Sequence, residues 1–223
     1  MIGQALTTGT SRDTADAMLA LVRAEGSAAH RHPGSDVLSQ GPEAARNVAD
    51  VVHLLCLLHG RHPGVVDHAI DRVANSATRA FLTDAANAFA QERALLTKLV
   101  VAVGPLPSTP GQADTETAVL AQHHAIDMLA QSERTGCALG AALALIADWS
   151  VIRPVLETAA KRLSLDIGRS DLPNANVIQS VIRSAENDAA ADRAMLFGAQ
   201  QIVAQHRGLW DLLEARAIAR SDY

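Results

Sequence analysis

Four of the chain's nine histidines fall within VVHLLCLLHGRHPGVVDH, residues 51–68, together with Cys56. Imidazole and thiolate build transition-metal sites, and histidine is also the usual proton carrier near neutral pH. Whether the cluster can do either depends on convergence. An α-helix turns the side-chain direction by about 100° per residue. On that wheel Ala44, Val48, Val51, Val52, Leu55 and Leu58 share one face, with His59 at its end. His53 points the other way, beside Arg46 and Asp50, and His62 and His68 lie at or beyond the Pro63-Gly64 break. Four histidines close in sequence therefore do not make one four-ligand site. Asp50 and His53, one turn apart, read as a hydrogen-bonded pair on the polar side of the helix. His59 reads as a core imidazole bonded to a helix-terminal carbonyl, with its cation favoured by the helix dipole.

A second search asks which ionisable side chains interrupt apolar stripes. Leu82, Ala85, Phe89, Leu96, Leu99 and Val103 form a helical stripe with Glu92 inside it. A carboxylate there must be paired, hydrogen-bonded or protonated, and Arg93 at the stripe's margin is placed to serve an acid on another helix. Met195, Ala199, Ile202, Leu209 and Leu213 form another stripe, with His206 at its centre. A core histidine of this kind is usually satisfied by a carbonyl or a carboxylate. In SERTGCALGAALALIADW, Glu133, Cys137, Gly140, Ala144 and Asp148 align if the helix is continuous, which turns both acids inward. The simpler account makes Asp148 and Ser132 helix caps. Glu116, His123, His124 and Asp127 collect on one side of a further helix, as a metal-ligand set or, more simply, a solvated face.

The elements that must position these groups are helical. The chain has 223 residues, 48% hydrophobic but only 3% aromatic, so its core is built mainly from Ala, Leu, Val and Ile. Helices are expected from about residue 7 to Gly26, from 42 or 43 to Gly60, from Val65 and most clearly over 81–103, from 114 to about 165, and from 175 to about 220. Weak points fall at Ser132, Asp148, Pro154 and Asn187. The connections are 26–42, the turn 104–112 and the loop 166–174, each rich in Gly, Pro or polar residues. Gly136 and Gly140 leave room for a neighbouring helix to approach a central helix that is apolar nearly all round. The fold class is all-α, with residues 1–223 forming a single-domain helical bundle of four to five main helices plus short flanking ones.

A bundle with Glu, Asp and His projecting inward from separate helices resembles the ferritin-like carboxylate proteins over about residues 43–220. That resemblance implies a di-metal centre of iron or manganese, with Glu92, His206 and Glu133, joined by Asp148 and His59, as candidate ligands and Glu116, His123, His124 and Asp127 as a second set. The family's Glu-x-x-His pairs are absent; Asp50-x-x-His53 is the nearest pattern. No nucleophile elbow, phosphate-binding loop, Cys-x-x-Cys or His-Glu-x-x-His motif occurs.

Three functions are compatible with these residues. The preferred one is a non-enzymatic binding or interaction protein, a homo-oligomer such as a dimer, or an acceptor of a partner helix or apolar small molecule between its helices. The second is the ferritin-like metal protein or oxidoreductase. The third is a metal-free enzyme using a Glu92–His206 acid–base pair. The net charge of −5 and the scarcity of aromatic rings argue against a nucleic-acid partner. The longest charge-free apolar run, 135–147, is short of the roughly 20 residues of a membrane span, and no secretory signal is visible, so a cytoplasmic protein with reduced thiols is expected.

Overall fold

The structure, a computed structural model, describes residues 3–185 and 187–221, with side chains from Thr14 onward. It is all-α: eight α-helices and three single 3-10 turns, with no strand among the described residues. In chain order the helices are α1 Gly3–Glu25, α2 Ala44–His59, α3 Val65–Asp71, α4 Ser76–Val103, α5 Gln112–Ala130, α6 Cys137–Arg162, α7 Ala175–Ser184 and α8 Ala189–Ser221. The flanking helix α1 spans 23 residues, longer than a short leading helix.

Local chemistry fixes several of the helix starts. Asn75 Oδ1 accepts from Thr78 N to start α4, and Asn174 Oδ1 does the same for α7 through Asn176 N and Val177 N. Asp188 accepts from Ala190 N and Ala191 N at the start of α8, which explains the interruption expected near Asn187. Gly136, at φ 91°, adopts the left-handed conformation that starts α6.

The central helix is α6, which packs against each of the other seven. Its 26 residues run unbroken through Asp148 and Pro154. A proline inside a helix ordinarily costs about 3 kcal/mol. Here residues 137–146 are buried on every side, and that burial outweighs the local weakness. The tightest packing is between α6 and α8. A Cβ on Gly140 would sit 2.0 Å from Met195 O, and one on Gly198 would sit 2.1 Å from Cys137 O. Glycine is required at both positions because backbone meets backbone.

Among the described residues α6 is the one helix long and apolar enough to cross a membrane, and 78% of its most apolar window is buried within the bundle. That burial is compatible with a soluble protein.

Candidate functional site

Most of the ionisable side chains in the bundle's interior gather at three nodes. The first is built from four elements. His59 ends α2, Asp148 lies midway along α6, His206 and Trp210 share one face of α8, and Ser27 opens the 26–42 connection. Asp148 Oδ1 accepts from Ser27 N at 2.8 Å, while Oδ2 accepts from Ser27 Oγ and from His206 Nδ1, both at 2.6 Å. Trp210 Nε1 donates to Ser27 Oγ at 2.8 Å. His206 Nε2 lies 2.9 Å from His59 Nε2, so a single proton is shared between the two rings.

Burial by itself would raise the Asp148 pKa. The hydrogen bond and charge of His206, with the two bonds from Ser27, outweigh it and hold the carboxyl below its ordinary range. Asp148 is thus an acceptor, and the proton between it and His206 resides on Nδ1. His59 is enclosed edge-on by Trp149, Phe89 and His206, with ring centroids at 5.7, 6.4 and 5.0 Å. Burial, reinforced by the neighbouring His206 and His123, pushes its pKa well below the usual value, so the ring is neutral. The carbonyl-bonded cation expected at the end of α2 is replaced by a neutral imidazole bonded to another imidazole, because apolar walls outweigh the helix dipole.

The second node surrounds Glu92. It accepts from Arg153 Nη1 at 2.5 Å and from Trp149 Nε1 at 3.1 Å. Arg153 also donates to the carbonyl of Gly168. The third joins α2 to the end of α8. Asp50 accepts a fork from Arg216, at 2.8 and 2.9 Å, and a further bond from Arg220 at 2.5 Å. Arg220 also donates to Asn47 Oδ1 and Thr109 Oγ1, and Arg216 to the Pro107 carbonyl.

Each node ties down one of the three long connections: Asp148 holds 26–42 at Ser27, Arg153 holds 166–174 at Gly168, and the arginine pair holds 104–112 at Pro107 and Thr109. Irregular segments carry backbone and hydroxyl groups without regular partners, and buried charges satisfy them. Every residue of the three nodes, from Ser27 to Arg220, lies within residues 22–221, the span matched by a family of unknown function (DUF6975). The chain belongs to that family. No curated protein and no solved structure matches it.

In this DUF6975 chain the expected site residues are redistributed. His206 does take a carboxylate, that of Asp148. The Glu92–His206 acid–base pair does not form, because Glu92 faces α6 and is consumed by Arg153 and Trp149. Asp148 is an interior acceptor and not a cap, since α6 is continuous through it. Ser132 starts no helix either; α5 stops at Ala130 and Glu133 is exposed in the turn that follows, off the α6 core line. Asp50 and His53 are not paired: Asp50 turns inward to the arginines, and His53 Nε2 bonds the Gly104 carbonyl at 2.8 Å. Arg93 serves an acid on another helix, Asp67 of α3, at 2.9 Å.

The second set also divides. His123 is buried, with Nδ1 2.9 Å from the Leu58 carbonyl and Nε2 3.3 Å from Asp127, whereas His124 is exposed and Glu116 accepts from Gln112. Among the described residues no three His, Cys, Asp or Glu side chains are grouped as a metal site.

Sequence reasoning missed Ser27, Arg153, Arg216 and Arg220. A signal existed for the arginines of α8, because steps of three and four carry the stripe from Leu209 and Leu213 on to Arg216 and Arg220. Asn47, Asp50 and Leu54 continue one another in the same way on α2.

Open space lies on both sides of the 26–42 connection. One cleft, of about 720 Å³, runs against α6 and is lined by hydroxyls of Ser27, Ser35, Ser39, Ser150 and Thr158. Their bonding is already internal: Ser27 donates to Asp148, Ser39 to Asp36 O, Ser150 to Ala147 O and Thr158 to Pro154 O, while Ser35 accepts from Val37 N. The other, of about 540 Å³, lies between residues 31–43 and the last turns of α8. Val37 and Ile218, 40% and 51% exposed, line it, as do buried Asn47 and Arg220 of the third node. In the smaller cleft exposed aliphatic walls meet two polar residues of the third node, Asn47 and Arg220.

Proposed function

We propose that this protein is a non-enzymatic small-molecule-binding protein whose ligand occupies the cleft between residues 31–43 and the end of α8. The observation that carries the reading is that cleft. Its volume of about 540 Å³ falls in the range of roughly 300–1,000 Å³ usual for ligand sites. It also combines exposed aliphatic walls with buried polar residues, the composition that gives a ligand both affinity and orientation. The state of the remaining polar residues supports a binding role over catalysis. Asp148, Glu92 and Asp50 each have their oxygens engaged by protein donors, and Ser27 uses its hydroxyl proton on Asp148. Both cysteines are free, in keeping with a reducing compartment, and we infer a cytoplasmic protein.

The reading is tested by methyl-detected NMR of the full chain titrated with a panel of small amphiphilic fragments. Shifts concentrated on the methyls of Val37, Ala217 and Ile218 are expected. Fragments that perturb only methyls elsewhere, or none at all, would overturn it.

A further inference from the structure

The third node carries a charge imbalance. Arg216 and Arg220 are 3% and 8% exposed, and among the described residues the one carboxylate bonded to either is Asp50. The two acids that line the cleft beside them are already engaged, Glu214 by Arg31 and Glu43 by Arg46. His32, also in the lining, is held down to about 4 by burial against the opposing pull of Glu214, so it adds no charge at neutral pH. Two buried guanidiniums therefore face one carboxylate. Two of their nitrogens, Arg220 Nε and Arg216 Nη1, are buried without any hydrogen-bond partner. A buried charged donor left unsatisfied is costly, and guanidinium pairs best with a carboxylate.

We infer that the ligand of this cleft is a small amphiphilic carboxylate, its headgroup neutralising the surplus positive charge at Arg220 and its apolar chain lying against Val37, Pro42, Ala217 and Ile218. The inference rests on the cleft being the ligand site and adds the class of ligand. Arg220 lines the cleft, and its buried Nε is the unpartnered donor on that wall. Arg216 lies behind it on the same face of α8, bonded to the same Asp50 oxygen, and extends the positive field without needing to touch the ligand. The aliphatic walls select against small hydrophilic anions, which would leave them wet.

The test is calorimetric titration of the full chain with octanoate and with octanol, on the wild type, Arg220→Gln and Ile218→Asp. Octanoate binding in the wild type, at least about tenfold tighter than octanol and weakened about tenfold in each variant, is expected. Ile218 is half exposed, so Ile218→Asp keeps the fold and the test holds even if Arg220→Gln does not fold. Octanol binding as tightly as octanoate, and lost in Ile218→Asp, would overturn the carboxylate and leave the cleft reading standing. Binding of neither at millimolar concentration, or octanoate binding untouched by Ile218→Asp, would overturn both.

Discussion

Replacing Ser27 by alanine removes one oxygen atom from the first node and tests whether that node anchors the 26–42 connection. Ser27 is fully buried and its hydroxyl makes two bonds, donating to Asp148 at 2.6 Å and accepting from Trp210 Nε1 at 2.8 Å. The bond to an ionised acceptor contributes about 1.5–3 kcal/mol, and an indole N–H left buried without a partner costs about 1–3 kcal/mol. The backbone bond from Ser27 N to Asp148 survives, and alanine fits the space, so little is added for a cavity. The expected loss is about 3 kcal/mol, or roughly 6–12 °C in Tm for a domain of this size. Urea unfolding followed by far-UV circular dichroism measures it, with Ser39→Ala, on an exposed hydroxyl, as a control expected within about 0.5 kcal/mol of wild type. Trypsin adds a local readout, since Arg31 has an exposed side chain and cleavage after it should accelerate when the segment loosens. In a Trp210→Phe background the N–H is gone, and Ser27→Ala should then cost about 1 kcal/mol less. A loss below about 1 kcal/mol in the single variant, with unchanged cleavage, would refute the anchoring argument.

Other perturbations have equally definite outcomes. His32 and His59 are neutral in the fold because burial depresses both, His32 to about 4, so the unfolded chain binds more protons once the pH drops below about 6.5. Stability is full above that pH and should fall by on the order of 1 kcal/mol per pH unit on the way to 4, partial screening at His32 included; His32→Phe should flatten the slope, and an unchanged slope in urea melts would count against it. Asp148, held down in the same direction, likewise loses its contribution as the pH falls, but only below the range of an ordinary carboxylate. Glu92→Ala leaves the Arg153 charge buried and should cost about 3–5 kcal/mol, most of it recovered in the double variant with Arg153→Met, as thermal melts would register. Gly140→Ala drives a Cβ into Met195 O and should cost about 3 kcal/mol by the same measurement; a neutral effect would mean that α6 and α8 separate freely. Asp192 is buried with both carboxylate oxygens unpartnered, so Asp192→Ala should raise stability by about 1 kcal/mol.

Composition and periodicity determined much of this protein. Alanine- and leucine-rich stripes at 3.6-residue spacing require helices, Gly and Pro clusters mark where they stop, and Gly136 and Gly140 signal a close helix contact, which α8 supplies. The same periodicity singled out Glu92, His59 and His206 as interior polar groups, because a helical wheel depends only on local geometry, whereas Asp148 read more simply as a cap until α6 proved continuous through it. Partner choice was beyond it. Whether His206 meets Glu92 or Asp148 depends on how α8 lies across α6, and helix crossing is fixed by side-chain and glycine contacts between segments far apart in sequence. Ser27 looked like one more residue of a polar connection until the fold carried it onto a carboxylate 121 positions away. The cleft at Arg220 was equally hidden, since it exists only where residues 31–43, α2 and the end of α8 are brought together. Sequence periodicity reports which side of a helix is buried; what that side is buried against is a property of the packed chain.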